Sequence, residues 1–221
     1  MYEHLLCLPY FQGMSKDDIT AILDKVALDF IKHSEGECIC HRGDKCDKFF
    51  ILIQGTLQCI AEAPDASYSL KEDITAPYAI EPYSMFGYTT DYNREYIAKS
   101  QCTILAIEKK FLFSEFTRYN IFTINFLNLI SNKAQKQEKT IWEKTPATIS
   151  GRIAQFIALR CEHQQGKKIL SIKMERLASI LCETRLNISK SLNELQEAGL
   201  VELHRKEIII PSLNKMMEII E

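Results

Sequence analysis

The sequence lacks long apolar segments and the signals of export. No stretch of the 221 residues reaches the roughly 18 consecutive apolar residues of a membrane span, so we expect none. The N-terminal MYEHLLCLPYF has no basic segment followed by an apolar run, so we expect no signal peptide. We therefore expect a cytoplasmic protein whose eight cysteines are free thiols or ligands rather than disulfides.

Sequence motifs of the common enzyme classes are also missing. There is no Gly-rich phosphate loop, no Gly-x-Ser-x-Gly segment and no paired-histidine metal motif. A Cys–His nucleophile is compatible with the composition, but nothing in the sequence selects one. We therefore expect no enzymatic activity, and we predict neither a cofactor nor a metal.

An excess of one charge is absent as well, since the net charge is −2. The distribution is uneven: from Pro146 onward there are 11 Lys and Arg residues against 9 Asp and Glu residues, and before it 16 against 20. This weak positive bias in the C-terminal part is compatible with DNA binding but does not establish it.

The first half of the chain has the pattern of short strands. Before it, Ser15 and Asp18 have the spacing of a capping box and predict a helix that runs to about Val26. From Asp29 to Ile107, short segments rich in β-branched and aromatic residues alternate with turn residues at a spacing of roughly ten residues. This pattern favours an antiparallel β-barrel or jelly roll.

The segment from Phe111 to Lys144 contains neither Gly nor Pro and predicts a long helix. Five of its residues alternate at spacings of three and four, which is typical of the seam of a two-stranded coiled coil. These are Leu127, Ile130, Ala134, Gln137 and Ile141. An adjoining face of Phe122, Phe126 and Leu129 would pack against the barrel. Two apolar faces favour a homodimer, although a single helix buried on its own domain is the alternative.

Between Ser171 and Leu200, two short amphipathic helices flank a break at 181–183. Thr184 is a good N-cap for the second helix, and Ile188, Leu192 and Leu195 would form its buried face. Its outward face carries Arg185, Asn187, Ser189, Lys190 and Asn193. Such a helix suits the major groove of DNA. Two strands with a basic tip at 204–206 and a helix over 212–220 follow.

Two further segments resemble a known family. The run from Glu35 to Leu57, with its Gly-Glu, Gly-Asp and aromatic-aliphatic strand, looks like the opening of a cyclic-nucleotide-binding-type barrel. Gly151-Arg152-Ile153-Ala154-Gln155 is very similar to the segment that opens the DNA-binding domain in the cAMP receptor protein/FNR (Crp/Fnr) family. The resemblance implies an α+β chain with three parts: a sensor β-barrel (jelly roll) over 1–110, a dimerisation helix over 111–145 and a winged helix-turn-helix over 146–221.

The resemblance also implies a function. A homodimer of this family reads an inverted-repeat DNA site and regulates transcription, with RNA polymerase as a further partner. The DNA-contacting residues carried over to this chain are Thr184, Arg185, Asn187, Ser189, Lys190, Arg205 and Lys206. Leu186 stands where many relatives have Glu, so we expect a different preferred sequence. Cys182 stands where Gly is frequent, so we expect backbone strain or an altered turn there.

The residues that hold a cyclic nucleotide in the family are changed here. Tyr88 replaces the Glu that accepts the ribose hydroxyl, and Tyr92-Asn93 occupy the Arg-Ser positions. Candidate effector residues are Phe86, Gly87, Tyr88, Thr89 and Arg94. We therefore expect no response to cAMP, and two alternatives stay open: a different small ligand in the barrel, or none.

Two other functions remain alternatives. One is a ligand-binding signalling protein of the cyclic-nucleotide type whose C-terminal domain mediates protein contacts. The other is a thiol or metal redox sensor that uses Cys38, Cys40 and Cys46 with His41 nearby. The local spacing lacks a second Cys-x-x-Cys pair, which favours buried free thiols over a metal site.

Overall fold

Antiparallel strands and one long helix dominate the first two-thirds of the chain, and short helices with a small sheet dominate the rest. The structure is a computed structural model that describes residues 5–26 and 28–220. Residues up to 57 and 74–143 form an N-terminal unit, whereas 58–73 and the residues from 144 onward form a C-terminal unit. The residue ranges of the three predicted domains remain predictions.

The first eleven elements follow one another in a single order. They are α1 (Lys16–Leu23), β1 (Asp29–His33), β2 (Cys38–Cys40), β3 (Lys48–Gln54), β4 (Thr56–Glu62), β5 (Tyr68–Thr75), β6 (Tyr78–Ala79), β7 (Glu95–Ala98), β8 (Cys102–Glu108), α2 (Lys109–Ser114) and α3 (Asn120–Ile141). Single turns of 3-10 helix cover Pro9–Phe11, Pro82–Met85 and Phe116–Arg118.

The central sheet of the N-terminal unit has the order β1-β8-β3-β6 and is antiparallel. β3 and β8 pair Phe49 with Ile107 and Ile51 with Leu105, and all four side chains are buried. β1 and β6 remain edges of this sheet, so the architecture is jelly-roll-like. The closed barrel that the strand pattern also allowed is not formed.

The predicted capping box at Ser15 is confirmed, and a glycine turn follows β3. The Ser15 hydroxyl accepts a hydrogen bond from the Asp18 backbone N–H at 3.0 Å, and the Asp18 carboxylate accepts one from the Ser15 N–H at 3.3 Å. The turn after β3 uses Gly55 at φ +99°. A Cβ atom there would lie 2.6 Å from the Gln101 carbonyl oxygen and 2.8 Å from the Cys102 sulfur, so only glycine fits.

The long helix is shorter than the sequence predicts. α3 begins at Asn120 and ends at Ile141, whereas the pattern predicted a continuous helix from Phe111 to Lys144. The interruption has a packing cause: Phe116 and Phe122 both join Phe11 in one aromatic cluster, with ring centroids 5.1–6.1 Å apart. In a straight helix, side chains six residues apart point roughly 240° from each other, so the chain must bend between them.

The C-terminal unit contains the remaining elements. They are α4 (Ile149–Ala158), β9 (Lys168–Ile172), α5 (Met174–Ile180), α6 (Arg185–Glu197), β10 (Glu202–His204), β11 (Glu207–Ile210) and α7 (Leu213–Ile220). Its core includes Ile153, Leu177, Ile188 and Leu192, none of which is exposed. Within the described residues, every helix in either unit is too short or too polar to cross a membrane.

Candidate nucleic-acid interface and sensor region

The helix-turn-helix is formed by α5, the turn over 181–184 and α6. The Thr184 hydroxyl accepts a hydrogen bond from the Asn187 backbone N–H at 3.1 Å, which confirms the predicted N-cap. Ile188, Leu192 and Leu195 are buried against the core, as the spacing predicts. The opposite face of α6 is therefore directed at solvent.

A side chain from α4 fixes the turn between the two helices. Arg152 donates to the Leu181 carbonyl oxygen at 3.0 Å and also pairs with the Glu183 carboxylate. Hydrogen bonds from Asn187 and Arg152 lower the pKa of Glu183. Between these anchors, Cys182 adopts φ +52°, a left-handed conformation that costs a non-glycine residue about 1–2 kcal/mol. The strain expected from the sequence at Cys182 is present.

The outward face of α6 carries exposed polar side chains, and two of them already contact carboxylates of the protein. Arg185 and Asn187 are exposed, yet Arg185 lies 3.2 Å from a Glu175 carboxylate oxygen and Asn187 donates to the Glu183 carboxylate at 3.1 Å. Lys190 is also exposed, and Ser189 is half-buried. Leu186 is 78% exposed on the same face, which is unusual for a large apolar side chain.

The predicted wing is formed by β10 and β11, which pair antiparallel with His204 opposite Glu207. Arg205 and Lys206 occupy the turn and are exposed, and Lys206 adopts φ +66°. Sequence reasoning missed the neighbouring strand, since Ser171 was placed in the first helix. β9 pairs with β11 and holds the wing, and the Ile172 backbone N–H donates to the Lys206 carbonyl oxygen at 3.0 Å.

The hairpin segment 58–73 also belongs to the C-terminal unit, which sequence reasoning missed. Its strand β5 pairs with β9, and the paired residues include Glu72 and Lys168. These two side chains are buried and form an ion pair at 3.0 Å. The Glu72 carboxylate also accepts the backbone N–H groups of Glu162 and His163. Both buried side chains therefore have partners within the protein, and the pair has a structural role.

The candidate effector residues do not come together in one pocket. Tyr88 is fully exposed and Thr89 is exposed, whereas Arg94 is half-buried. Phe86 is half-buried in edge-to-face contact with Phe113, at a centroid distance of 5.1 Å. The five residues thus have different surroundings.

A buried carboxylate lies behind this loop. Glu81 is completely buried and adopts φ +36°. Its carboxylate accepts hydrogen bonds from the Ser84 hydroxyl at 2.7 Å and from the Asn93 backbone N–H at 2.9 Å. The Asn93 side-chain amide donates to the same oxygen at 3.2 Å. Polar donors on this segment are therefore already satisfied by an anionic group of the protein itself.

The nearby cavity has a volume of about 450 Å³ and apolar walls. It lies between the 82–87 segment, α2 and the N-terminal half of α3. Its lining includes Phe86 and Gly87 of the candidate effector set and Leu127 and Ile130 of the predicted dimer seam. Among the described residues, Tyr88, Thr89 and Arg94 do not line it.

The thiols of the N-terminal unit fall into two groups. Burial raises the pKa of Cys40 and of Cys46, and a contact with Cys46 adds to the burial that raises the pKa of Tyr92. Cys38 is half-buried, and burial together with Glu95 raises its pKa to about 11. The strand pairing is irregular between Cys38 and Cys40, and interaction with Cys38 adds to the burial that raises the pKa of Cys40.

Comparisons with known proteins agree with this arrangement. The model of the cyclic nucleotide-binding domain matches residues 30–119, and that of the Crp-like helix-turn-helix domain matches residues 151–219. The chain belongs to the Crp/Fnr family of transcription regulators. Like others of this family, it carries a sensor-type unit before a DNA-binding helix-turn-helix.

Solved structures show the same fold at low sequence identity. The catabolite activator protein of Thermus thermophilus is 13% identical, and the match covers 97% of this chain and 100% of that one with a TM-score of 0.54. The sensor domain of the transcriptional regulator DNR from Pseudomonas aeruginosa is 15% identical, and that match covers 64% of this chain and 93% of that one with a TM-score of 0.53. None of the curated proteins matches the chain.

Proposed function

We propose that this Crp/Fnr-type regulator acts as a homodimer that reads an inverted-repeat DNA site through α6. The observation that carries the proposal is the solvent face of α6, where Arg185, Asn187 and Lys190 are exposed while the opposite face is buried. A helix with this division can enter the major groove and leave its packing intact. Its two copies would contact half-sites about 34 Å apart.

Each exposed group of this interface has a chemical role in the proposal. The planar guanidinium of Arg185 can donate two hydrogen bonds to O6 and N7 of a guanine. Lys190, Arg205 and Lys206 would contact phosphates, and Asn187, Ser189 and Thr184 either bases or phosphates. Leu186 can contact only a thymine methyl group, so the preferred half-site would differ from that of relatives with Glu at this position.

The dimer seam is proposed along α3. Leu127 is 58% exposed and Ile141 is 71% exposed in the single chain, and Ala134 and Gln137 are exposed between them. Ile130 is half-buried on the same side. A row of apolar side chains along an exposed helix is stabilised when a second copy covers it, because each buried CH₂ group contributes about 0.8 kcal/mol.

We infer that cAMP is not the effector. The donors of Ser84 and Asn93 already bind the Glu81 carboxylate, so they are not available to hold a cyclic phosphate. The neighbouring cavity is lined by apolar groups and suits an uncharged apolar ligand instead. As a transcription regulator, the protein would act in the cytoplasm together with RNA polymerase.

Selection of binding sites from random DNA by the purified full chain tests the proposal. We expect enrichment of an inverted repeat, with affinity that falls steeply as the salt concentration rises. Sedimentation of the free protein should show a dimer, and Leu127→Lys should shift it towards monomer. Failure to enrich any inverted repeat, with or without a metabolite extract, would favour the rival function in which the C-terminal unit binds another protein.

A further inference from the structure

Two neighbouring potential metal ligands, Cys38 and His41, meet a third that is distant in the sequence, Glu95, beside β2. The Cys38 sulfur lies 3.5 Å from Nδ1 of His41, and the same Nδ1 lies 3.2 Å from a Glu95 carboxylate oxygen. The sulfur and that oxygen are 3.9 Å apart. Cys38 is the first residue of the edge strand β2, His41 directly follows β2, and Glu95 begins β7, the strand with which β2 pairs.

The three side chains converge on one point and do not form a linear relay. In a thiol–imidazole–carboxylate relay, each of the two ring nitrogens serves one partner. Here the sulfur and the carboxylate both face Nδ1 of His41, which carries at most one proton. Only one hydrogen bond can therefore be made at Nδ1, and without a cation the Cys38 thiol can donate instead to the Glu95 carboxylate at 3.9 Å or to the Tyr96 carbonyl oxygen at 3.6 Å. A cation shared by all three atoms satisfies them together.

The separations agree with one face of a coordination tetrahedron. Zinc binds sulfur at about 2.3 Å and imidazole nitrogen or carboxylate oxygen at about 2.0–2.1 Å, which places tetrahedral ligands about 3.3–3.6 Å apart. The measured edges of 3.5, 3.2 and 3.9 Å lie within about 0.3 Å of that range. No large movement of the backbone is needed to bring a cation into contact with all three.

We propose that Cys38, His41 and Glu95 form a binding site for a zinc-like divalent cation. A thiolate, an imidazole and a carboxylate are a donor set that zinc prefers, whereas the sulfur disfavours magnesium and calcium. The His41 side chain is 64% exposed, so water can complete the coordination from the solvent side. The site is independent of DNA binding and adds a metal to a chain whose sequence predicts none.

The position of the site couples it to the loop of the candidate effector residues. The turn after His41 is joined to the segment before Glu95 by backbone hydrogen bonds: Gly43 donates to Tyr92, Tyr92 to Asp44 and Cys46 to Thr90, at 2.8–2.9 Å. Lys45 and Asp91 add an ion pair at 2.5 Å. A cation held by Cys38, His41 and Glu95 would therefore tighten both ends of this paired segment.

Titration of the metal-free full chain with Co²⁺, followed by competition with Zn²⁺, tests the proposal. We expect one Co²⁺ per chain by native mass spectrometry, with thiolate-to-cobalt charge-transfer absorption that Zn²⁺ abolishes. The melting temperature should rise with added Zn²⁺, because the ion binds the folded state. A chain that takes up no Co²⁺, or takes it up without the charge-transfer band, would overturn the proposal.

Variants locate the bound ion. Cys38→Ser should lose the charge-transfer band, and His41→Ala and Glu95→Gln should weaken Co²⁺ binding by more than the roughly 10–100-fold typical of groups that only support a ligand. His41 is mostly exposed, so its replacement should leave the fold intact.

Two matched variants serve as controls. Cys7→Ser removes an exposed thiol that is not part of the proposed site. His33→Gln breaks an imidazole–carboxylate pair with Glu37, at 3.3 Å, that is also outside the site. Both should bind Co²⁺ like the parent protein. If Cys38→Ser keeps the band, or if a control variant loses it, the ion lies elsewhere and the assignment is wrong.

Discussion

The two units of this regulator differ in how their polar groups are used. The C-terminal unit presents Arg185 and Lys190 on an exposed helix face, and the turn before that helix holds Cys182 in a strained conformation. The N-terminal unit keeps well-formed glycine turns, but a carboxylate of its own occupies the donors of its sensor segment. Polar side chains are thus exposed on the helix of one unit and already engaged within the protein in the other.

The largest effect should come from the framework of the N-terminal unit. Gly55→Ala would add a Cβ 2.6 Å from a carbonyl oxygen at φ +99°, and we expect it to lower the free energy of unfolding by about 3 kcal/mol. Gly43→Ala is the matched control, since it has φ +89° and open space around the added atom. Gly43→Ala should lower the free energy of unfolding by about 1 kcal/mol. If urea denaturation gives equal losses for the two variants, the close approach at Gly55 is unimportant.

The next effect concerns the reading helix. Arg185→Ala should weaken binding to the selected DNA site by about 1–3 kcal/mol, the range of one bidentate contact to guanine, and should weaken binding to random DNA far less. Arg205→Ala should weaken both by similar factors, because a phosphate contact carries no sequence information. Fluorescence anisotropy at fixed salt measures both. Similar losses on the two DNAs for Arg185→Ala would remove its base-reading role.

The stability of the protein at alkaline pH should depend on the buried thiol of Cys40. Burial holds the pKa of Cys40 above its ordinary value of 9.0, so above that pH the folded state binds more protons than the unfolded state. The free energy of unfolding should then fall by up to about 1.4 kcal/mol per pH unit for this one group, whereas below pH 9 the contribution is constant. Urea denaturation at pH 8, 9 and 10 should give a shallower decline for Cys40→Ala, and an identical decline in the two proteins would contradict this.

The smallest effect is a gain of stability in the C-terminal unit. Cys182→Gly should relieve the strain at φ +52° and raise the free energy of unfolding by about 1 kcal/mol, after the larger entropy of an unfolded glycine is subtracted. Thermal unfolding measures the change. Cys161→Gly is the control, because Cys161 is half-buried and does not have a positive φ. This variant should lower the free energy of unfolding.

Local patterns predicted the elements whose causes are local. The cap at Thr184, the buried face of α6 and the capping box at Ser15 each depend on residues within one or two helical turns. The bend before α3 did not follow from the sequence, because it is caused by Phe11 packing more than 100 residues away. For the same reason, the Glu72–Lys168 pair and the meeting of Cys38 with Glu95 have no signature in local spacing.

The partners of Arg185 and Asn187 have a consequence for how the regulator would search a genome. Both side chains are held by carboxylates, Glu175 and Glu183, in the free protein. Arbitrary DNA offers these side chains only phosphate oxygens in exchange for the carboxylates, so little is gained and we expect the protein to leave such sites quickly. A site with correctly placed bases replaces both partners at once, and the residence time should lengthen there.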